Sequence, residues 1–371
     1  MKILVTGGCG FIGSHLVDKL VKCGHKVRVY DLLEPQVHLG RKPSFLNKDA
    51  EYIYGDVRNK EKLKKALKGI EIVFHEAAQV GVGQSMYQIE KYISHNSLGT
   101  AVLLDSIVNT NNAVKKIIVA SSMTIYGEGA YCCKKCGIIY PLLREKTQLE
   151  KRDWQMHCPK CRRKAARIAT AEGKPLLPSS IYATTKRCQE EMCLVVGRTY
   201  KIPTVALRYF NVYGERQSLN NPYTGVCAIF LSQVKNNHQP LIFEDGKQSR
   251  DFIYVSDIVE ANILAMRKKD ADYDFFNVGT GSPHSILDIA KVIISLYNKK
   301  GLKPKITNKF RARDIRHCYA DISKISKNLG FKPKVSFEEG MKKLIVWSEA
   351  QQATDFSKKA QLELKKRGLG E

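Results

Sequence analysis

Glycines at every third position, Gly7, Gly10 and Gly13, sit between a run of β-formers and an amphipathic segment: Lys2-Ile-Leu-Val-Thr6, then Gly7-Gly-Cys-Gly-Phe-Ile-Gly13, then Ser14 to Lys22. The pattern reads strand, tight turn, helix. Gly7, Gly10 and Gly13 allow the sharp turn, the close approach of a pyrophosphate to the backbone, and tight packing of helix on strand. The helix N-terminus then faces the phosphates with unpaired N–H groups and the positive end of its dipole. The next strand, His25-Lys-Val-Arg-Val-Tyr30, ends in Asp31, whose carboxylate suits the adenosine ribose hydroxyls, and Leu32 follows where a 2′-phosphate would call for arginine. The expected cofactor is NAD, not NADP.

Further strands alternate with helices at the pitch of a parallel, doubly wound sheet. Glu51-Tyr-Ile-Tyr-Gly-Asp56-Val57 ends where an adenine would lie, the carboxylate accepting from the exocyclic amine and the next amide donating to the ring. Lys60 to Lys68 has helical spacing. Glu71-Ile-Val-Phe-His75 is another strand, and the small residues of Glu76-Ala77-Ala78-Gln79 let the backbone approach a cofactor. His75 reads as a strand-end histidine satisfied by its surroundings. Tyr92 to Asn109 reads as one long helix carrying Asn96, and Lys115 to Ser122 as a buried strand.

Chemistry is expected where that strand ends. Ser122 lies at the carboxyl edge of the sheet, where ligands of such sheets bind. Tyr182 and Lys186 stand at i and i+4 of a predicted helix, so phenol and ammonium share one face and the ammonium should favour phenolate. Together they form a proton-transfer set.

With these motifs on the page, the chain resembles the extended short-chain dehydrogenase/reductases of nucleotide-sugar metabolism from about Met1 to Trp347. The resemblance rests on the glycine turn, Asp56-Val57, Ser122, Tyr182 with Lys186, Arg208-Tyr-Phe-Asn211-Val-Tyr-Gly214, Arg250-Asp-Phe-Ile-Tyr-Val-Ser-Asp257 and Asn277-Val-Gly-Thr-Gly281. It implies that Tyr182 is the acid/base, that Lys186 holds the nicotinamide ribose, and that Ser122 binds the reacting hydroxyl. The cofactor set it implies is Gly7, Gly10, Phe11, Ile12, Gly13, Asp31, Asp56, Val57, Ala77, Ala78, Gln79, Asn96, Tyr182, Lys186 and Phe210. Asn211, Arg250 and Arg311 would hold the nucleotide diphosphate, with Asp314, Leu241 and Phe243 near its nucleoside; a guanidinium is the natural bidentate partner of a pyrophosphate.

Family members that dehydrate or decarboxylate carry acidic residues immediately after the serine position, whereas this chain has Met123 and Thr124. By resemblance the remaining reaction is reversible oxidation at C4, that is, 4-epimerisation of a nucleotide diphosphate sugar. The family also implies a homodimer formed through the Asn96 and Tyr182 helices.

The departure from the family is an insertion between Ser122 and Tyr182. Cys133-Lys-Lys-Cys136 and Cys158-Pro-Lys-Cys161 fit a closed four-thiolate structural zinc site on a small ribbon, with Cys132 and His157 as spare ligands. Such an insertion, with Asn221-Pro-Tyr-Thr-Gly225 downstream, is similar to that of family members acting on dTDP-L-rhamnose. UDP-glucose and UDP-glucuronate remain alternatives.

The organisation expected is α/β: a Rossmann-type doubly wound parallel sheet in 1–127 and 176–212, a zinc-ribbon-like insertion at 128–175, and a smaller α/β substrate lobe at 213–349 interleaved with returns to the sheet. A charged helical tail fills 350–371. No apolar run in the 371 residues reaches membrane length and no secretory signal opens the chain, so a cytoplasmic protein is expected. The 11 cysteines then read as metal thiolates in a reducing compartment rather than disulfides. The net charge of +25 is spread along the chain, which favours a lysine-rich solvated surface over a nucleic-acid site. The reading of another class is a non-catalytic NAD-binding protein that uses ribbon and basic surface for RNA; an intact proton-transfer set argues against it.

Overall fold

A computed structural model describes residues 1–223, 225–311 and 314–369. Thr224 of the Asn221–Gly225 stretch and the last two residues of the 350–371 tail lie outside them. Seven parallel strands form the main sheet: β1 (Lys2–Thr6), β2 (Lys26–Asp31), β3 (Glu51–Tyr54), β4 (Ile72–His75), β5 (Lys116–Ser122), β6 (Thr204–Tyr209) and β7 (Asp274–Val278). Their order is β7-β6-β5-β4-β1-β2-β3, so the direction of winding reverses between β1 and β4. A crevice opens at such a reversal, outside the carboxyl ends of the strands. β1 and β5 read as continuous rather than alternating apolar runs because helices cover both faces of the sheet, and Ile3, Leu4, Val5, Ile117, Ile118 and Val119 are fully buried.

The glycine turn shows why its residues are small. Gly7 has φ +72°, and a Cβ there would lie 2.8 Å from the Ala77 backbone nitrogen; one on Gly13 would lie 2.3 Å from the Gly7 carbonyl oxygen. The first helix, Phe11–Lys22, therefore packs directly on the turn. Its N-cap is Gly10, with no side-chain cap and no acidic residue in the first turn, so its end amides face the crevice.

The long helix expected from Tyr92 to Asn109 is instead three pieces: Ile89–Tyr92, a π-helical Ile93–Leu98, and Gly99–Val108. The wide turn brings Asn96 inside, and Gly99 is needed where a Cβ would meet Val57 at 2.6 Å. Hydrophobic periodicity does not distinguish a π turn from an α turn, so the break is invisible to pattern reading.

Strands Asn211–Tyr213, Ser249–Tyr254, Pro283–Ser285 and His317–Cys318 make a smaller sheet, packed with helices Val226–Lys235, Ile286–Leu296 and Phe337–Glu349 around their own core. The insertion is a three-stranded antiparallel ribbon of Gly137–Ile139, Ala130–Cys133 and Ala166–Ile168. A last helix, Ser357–Lys366, follows. Among the described residues no helix is long and apolar enough to cross a membrane.

Candidate active site and cysteine centre

One cavity of about 630 Å³ opens at the carboxyl edge of the main sheet and runs into the smaller lobe. Its wall joins residues far apart in sequence: Phe11, Ile12, Ala78 and Gln79; Ser122, Tyr182, Lys186 and Phe210; and Asn211, Leu241, Phe243, Arg250, Arg311 and Asp314. The proton-transfer set and the whole expected substrate set are thus brought together.

Local structure explains the placement. β5 ends at Ser122, which caps a short 3₁₀ turn; its Oγ accepts from Thr124 Oγ1 at 2.9 Å and from the Thr124 amide at 3.2 Å. Ser180 caps the helix Ile181–Thr199 by accepting from the Ala183 amide, and the Tyr182 amide donates to Ser85 Oγ at 3.0 Å. One helical turn on, Lys186 points the same way. Behind them, Ser121 donates to Glu190 at 2.5 Å, and Glu190 is paired with Arg208 in full burial. Helix and strand are locked in register, so Ser122 and Tyr182 face each other across the cavity.

The electrostatics differ from the sequence expectation. Burial pushes the Tyr182 phenol up to about 12, with only the Ser122 hydrogen bond pulling it back. Burial also draws Lys186 down to about 8, against the attraction of Glu76, Cys193 and Glu190. The expected lowering of Tyr182 by Lys186 is therefore absent from the protein by itself: desolvation is the largest effect on each group.

Sequence reading missed Glu76. It lines the cavity half-buried; desolvation lifts it to about 7, while a hydrogen bond from Tyr209 Oη at 2.8 Å and the Lys186 charge hold it back. A carboxyl directly after a buried strand end, beside the glycine turn, was the available signal.

Other predicted residues stand outside the wall. Asp31 is buried and accepts the Cys9 and Leu33 amides at 2.9 and 2.8 Å, which fixes the glycine turn to β2. The Asp56 carboxylate is held by Arg58 at 2.6 Å. Asn96 is fully buried and spends its amide on the Gln79 backbone and on Thr185 Oγ1, bridging the cofactor edge to the Tyr182 helix. It positions other groups; it does not face the cavity. His75 lies between Thr6 Oγ1 and Thr100 Oγ1 at 2.8 and 2.9 Å, and burial lowers it to about 3.

His75 carries a stability prediction. An unfolded histidine protonates near ~6.5 while the folded one resists until about 3, so between these values the unfolded chain binds a proton that the folded chain does not. Stability should fall with falling pH across that window, by up to ~1.4 kcal/mol per pH unit from this group. Denaturant titrations from pH 7 to 4 should show a shallower fall for His75→Gln than for the parent.

At the far end of the cavity, Arg250 donates to Asp314 Oδ1 at 3.1 Å and to the carbonyls of Ser249, Ile315 and Arg316. The Arg311 guanidinium stacks 4.2 Å over the Phe243 ring, and its Nε, like Asn211 Oδ1, is buried without a hydrogen-bond partner.

In the insertion, the sulfurs of Cys133, Cys136, Cys158 and Cys161 all lie within 4.8 Å of one another, with Cys133 and Cys161 at 3.5 Å. The two knuckles match: amides of Lys135 and Cys136 point at Cys133, and amides of Lys160 and Cys161 at Cys158. Cys132 and His157 are not in this cluster; His157 is taken by Asp153 at 2.6 Å and by the Arg162 carbonyl.

The ribbon is tied to the same end of the cavity. Tyr131, packed among the cysteines, donates to Glu128 at 2.7 Å, and Glu128 accepts the amides of Arg316 and His317 at 2.7 and 2.8 Å. Arg144 makes a buried bidentate pair with Glu244, next to Phe243, and Glu244 also holds Arg316. Trp154 and Leu149 pack on Phe310. The ribbon's contacts thus run to Phe310, Arg316 and His317.

A family model described as "NAD dependent epimerase/dehydratase family" matches residues 3–148 and 158–279. A dTDP-L-rhamnose 4-epimerase of Burkholderia thailandensis is 35% identical over 349 residues, 93% of this chain and 94% of that protein. A UDP-glucose 4-epimerase of Thermotoga maritima, solved with UDP-glucose, superposes with a TM-score of 0.78 at 32% identity, covering 94% of this chain and 99% of that one. A UDP-glucuronic acid 4-epimerase of Bacillus cereus, solved with UDP-glucuronic acid and NAD, gives 0.77 at 28% identity with the same coverage.

Proposed function

The chain belongs to the NAD dependent epimerase/dehydratase family, and from that premise we propose that it is an NAD-dependent 4-epimerase acting on a nucleotide diphosphate sugar. The observation that carries the reading is a single cavity in which Ser122, Tyr182 and Lys186 meet Asn211, Arg250 and Arg311. An open glycine turn, a capless helix N-terminus and the buried Asp31 fit a dinucleotide along one side. Bound NAD supplies the hydride acceptor and a positive charge that favours phenolate.

The Tyr182 phenolate accepts the proton of the C4 hydroxyl, and Ser122 holds that oxygen as it becomes a carbonyl. Lys186, ionised below about 8, keeps positive charge beside the phenolate. With NAD bound, the 4-keto sugar would turn within the cavity and be reduced on its other face, Tyr182 returning the proton to the C4 oxygen. Met123 and Thr124 line the cavity beside Ser122 with a thioether and a hydroxyl, so no carboxyl stands at these two positions. Arg311, with its unpaired Nε, and Arg250 suit the diphosphate.

A dTDP-hexose such as dTDP-L-rhamnose is the substrate that the Burkholderia relative favours, with UDP-glucose or UDP-glucuronate as the other candidates. Incubating the protein with a panel of dTDP-, UDP- and GDP-sugars and reading products by NMR tests the class and the choice. One nucleotide sugar should give its C4 epimer; no turnover across the panel contradicts the reading.

The four cysteines would hold one structural zinc. Bonds of ~2.3 Å in a tetrahedron put sulfurs ~3.8 Å apart, and the four sulfurs, within 4.8 Å of one another, need only a small contraction to reach that spacing. Four protein ligands leave no open position for catalysis. Reduced thiolates suit the cytoplasm. A homodimer through the Asn96 and Tyr182 helices is supported by Ile89, Ile93, Leu98 and Val195, all exposed on these segments.

A further inference from the structure

The helix Ser357–Lys366 belongs to the charged tail, in which the sequence offers no chemistry. Residues 357, 360, 361 and 364 follow the i, i+3, i+4, i+7 spacing of one helical face. That face, Ser357, Ala360, Gln361 and Leu364, lines the cavity that holds Ser122 and Tyr182, while Lys358, Lys359, Leu362, Lys365 and Lys366 are turned to solvent.

The helix is fixed at both ends. At its start, Gln233 donates to Ser357 Oγ at 2.9 Å in full burial, and the other end of the same amide accepts from the backbone of Leu241, at the nucleoside edge. His238 meets Asp355 at 2.7 Å and Asn236 donates to the Ala353 carbonyl. At its far end, Leu364 packs on Gly83, where an added Cβ would sit 3.4 Å away. Arg367 lies 4.4 Å over the Tyr87 ring, which is hydrogen-bonded to Tyr223. Gly83 belongs to the turn Val82–Ser85, and Ser85 Oγ receives the amide of Tyr182. The helix therefore spans the cleft from the nucleoside edge to the reacting end.

Gln361 sits between those ends, about one helical turn, or ~5 Å, from each. Ala360 and Leu364 are apolar and Ser357 is bonded to Gln233, so Gln361 is the polar group this face offers; its carboxamide has no hydrogen-bond partner among the described residues. We propose that Gln361 is a specificity-determining residue that hydrogen-bonds a hydroxyl of the hexose, with Ala360 and Leu364 as the apolar wall beside it. The inference rests on the nucleotide-sugar reading above and assigns its sugar subsite.

The test compares Gln361→Ala with the parent by calorimetric titration of dTDP-L-rhamnose and UDP-glucose, each against the sugar-free dTDP or UDP. Loss of one hydrogen bond to the sugar should weaken binding of the preferred nucleotide sugar about tenfold and leave the nucleoside diphosphate and the melting temperature unchanged. In the parent, that nucleotide sugar should also slow tryptic cleavage at Lys358, Lys359, Lys365 and Lys366 more than the nucleoside diphosphate does. Leu362→Ala, on the outer face, should change none of these. Equal affinity of Gln361→Ala and parent for both ligands overturns the proposal and leaves the epimerase reading standing. Equal weakening of both ligands with a lower melting temperature also overturns it, as a structural role. Gln361-dependent binding without epimerisation keeps this contact and rejects the activity, and a parent that binds no member of the dTDP-, UDP- and GDP-sugar panel rejects both.

Discussion

Tyr182→Phe will lower kcat by about a thousandfold or more, the scale of losing a positioned general base, while NAD affinity stays close to the parent's. Tyr182 and Ser122 line one cavity with Lys186, held there by the Ser180 cap and the buried Glu190–Arg208 pair. Phenylalanine keeps the ring and its edge contact with Tyr92, so the helix should not move. Only the proton acceptor is lost. The neighbouring Ser122 and Thr124 hydroxyls are aliphatic and far weaker acids than a phenol, so neither can take its place near neutral pH. Steady-state kinetics with a fluorescence titration of NAD checks this; near-parent turnover would mean that another group moves the proton, and Glu76 in the cavity wall would be the first suspect.

Replacing Cys133 and Cys161 together by serine will release one zinc per chain and raise KM for the nucleotide sugar by about tenfold, a positioning loss of ~1.4 kcal/mol. The cysteine cluster holds Tyr131, Tyr131 holds Glu128, and Glu128 holds the amides of Arg316 and His317. Arg316 lies two residues from Asp314, and Arg250 donates both to the Arg316 carbonyl and to the Asp314 carboxylate. A ribbon without its metal loses the energy that folds a segment too short for its own core. The strain should pass to the nucleotide edge first and to the Ser122 and Tyr182 pair second. NAD affinity at the glycine turn should survive. Elemental analysis, kinetics and NAD titration measure the three consequences; zinc-free parent protein, or an unchanged KM in the double variant, would sever the ribbon from catalysis.

The nucleotide half of the fold was legible because its constraints are local. Glycines at 7, 10 and 13, a strand ending in Asp31, and a tyrosine four residues before a lysine each impose a backbone or a face regardless of the rest of the chain. The two cysteine knuckles were legible for the same reason. What depended on distant partners was not. Asn96 carries no mark in sequence that its amide will close on Gln79 and Thr185. Nor does the spacing of the spare ligands reveal that Asp153 captures His157. The Tyr182 pKa was misjudged because the helical face was visible and the burial of both groups was not. The tail read only as a charged helix without assignable chemistry because its lysines dominate composition, although the i, i+3, i+4, i+7 set of Ser357, Ala360, Gln361 and Leu364 was present to be read.

The measurement that bears most directly on the account uses the nucleotide sugar identified by the panel, deuterated at C4 of the hexose, with NAD in catalytic amount. Reversible oxidation at C4 with return of the same hydride predicts that the epimer carries its deuterium at C4 and that no NADH accumulates. Deuterium lost to solvent, or an oxidised sugar released with stoichiometric NADH, would contradict it.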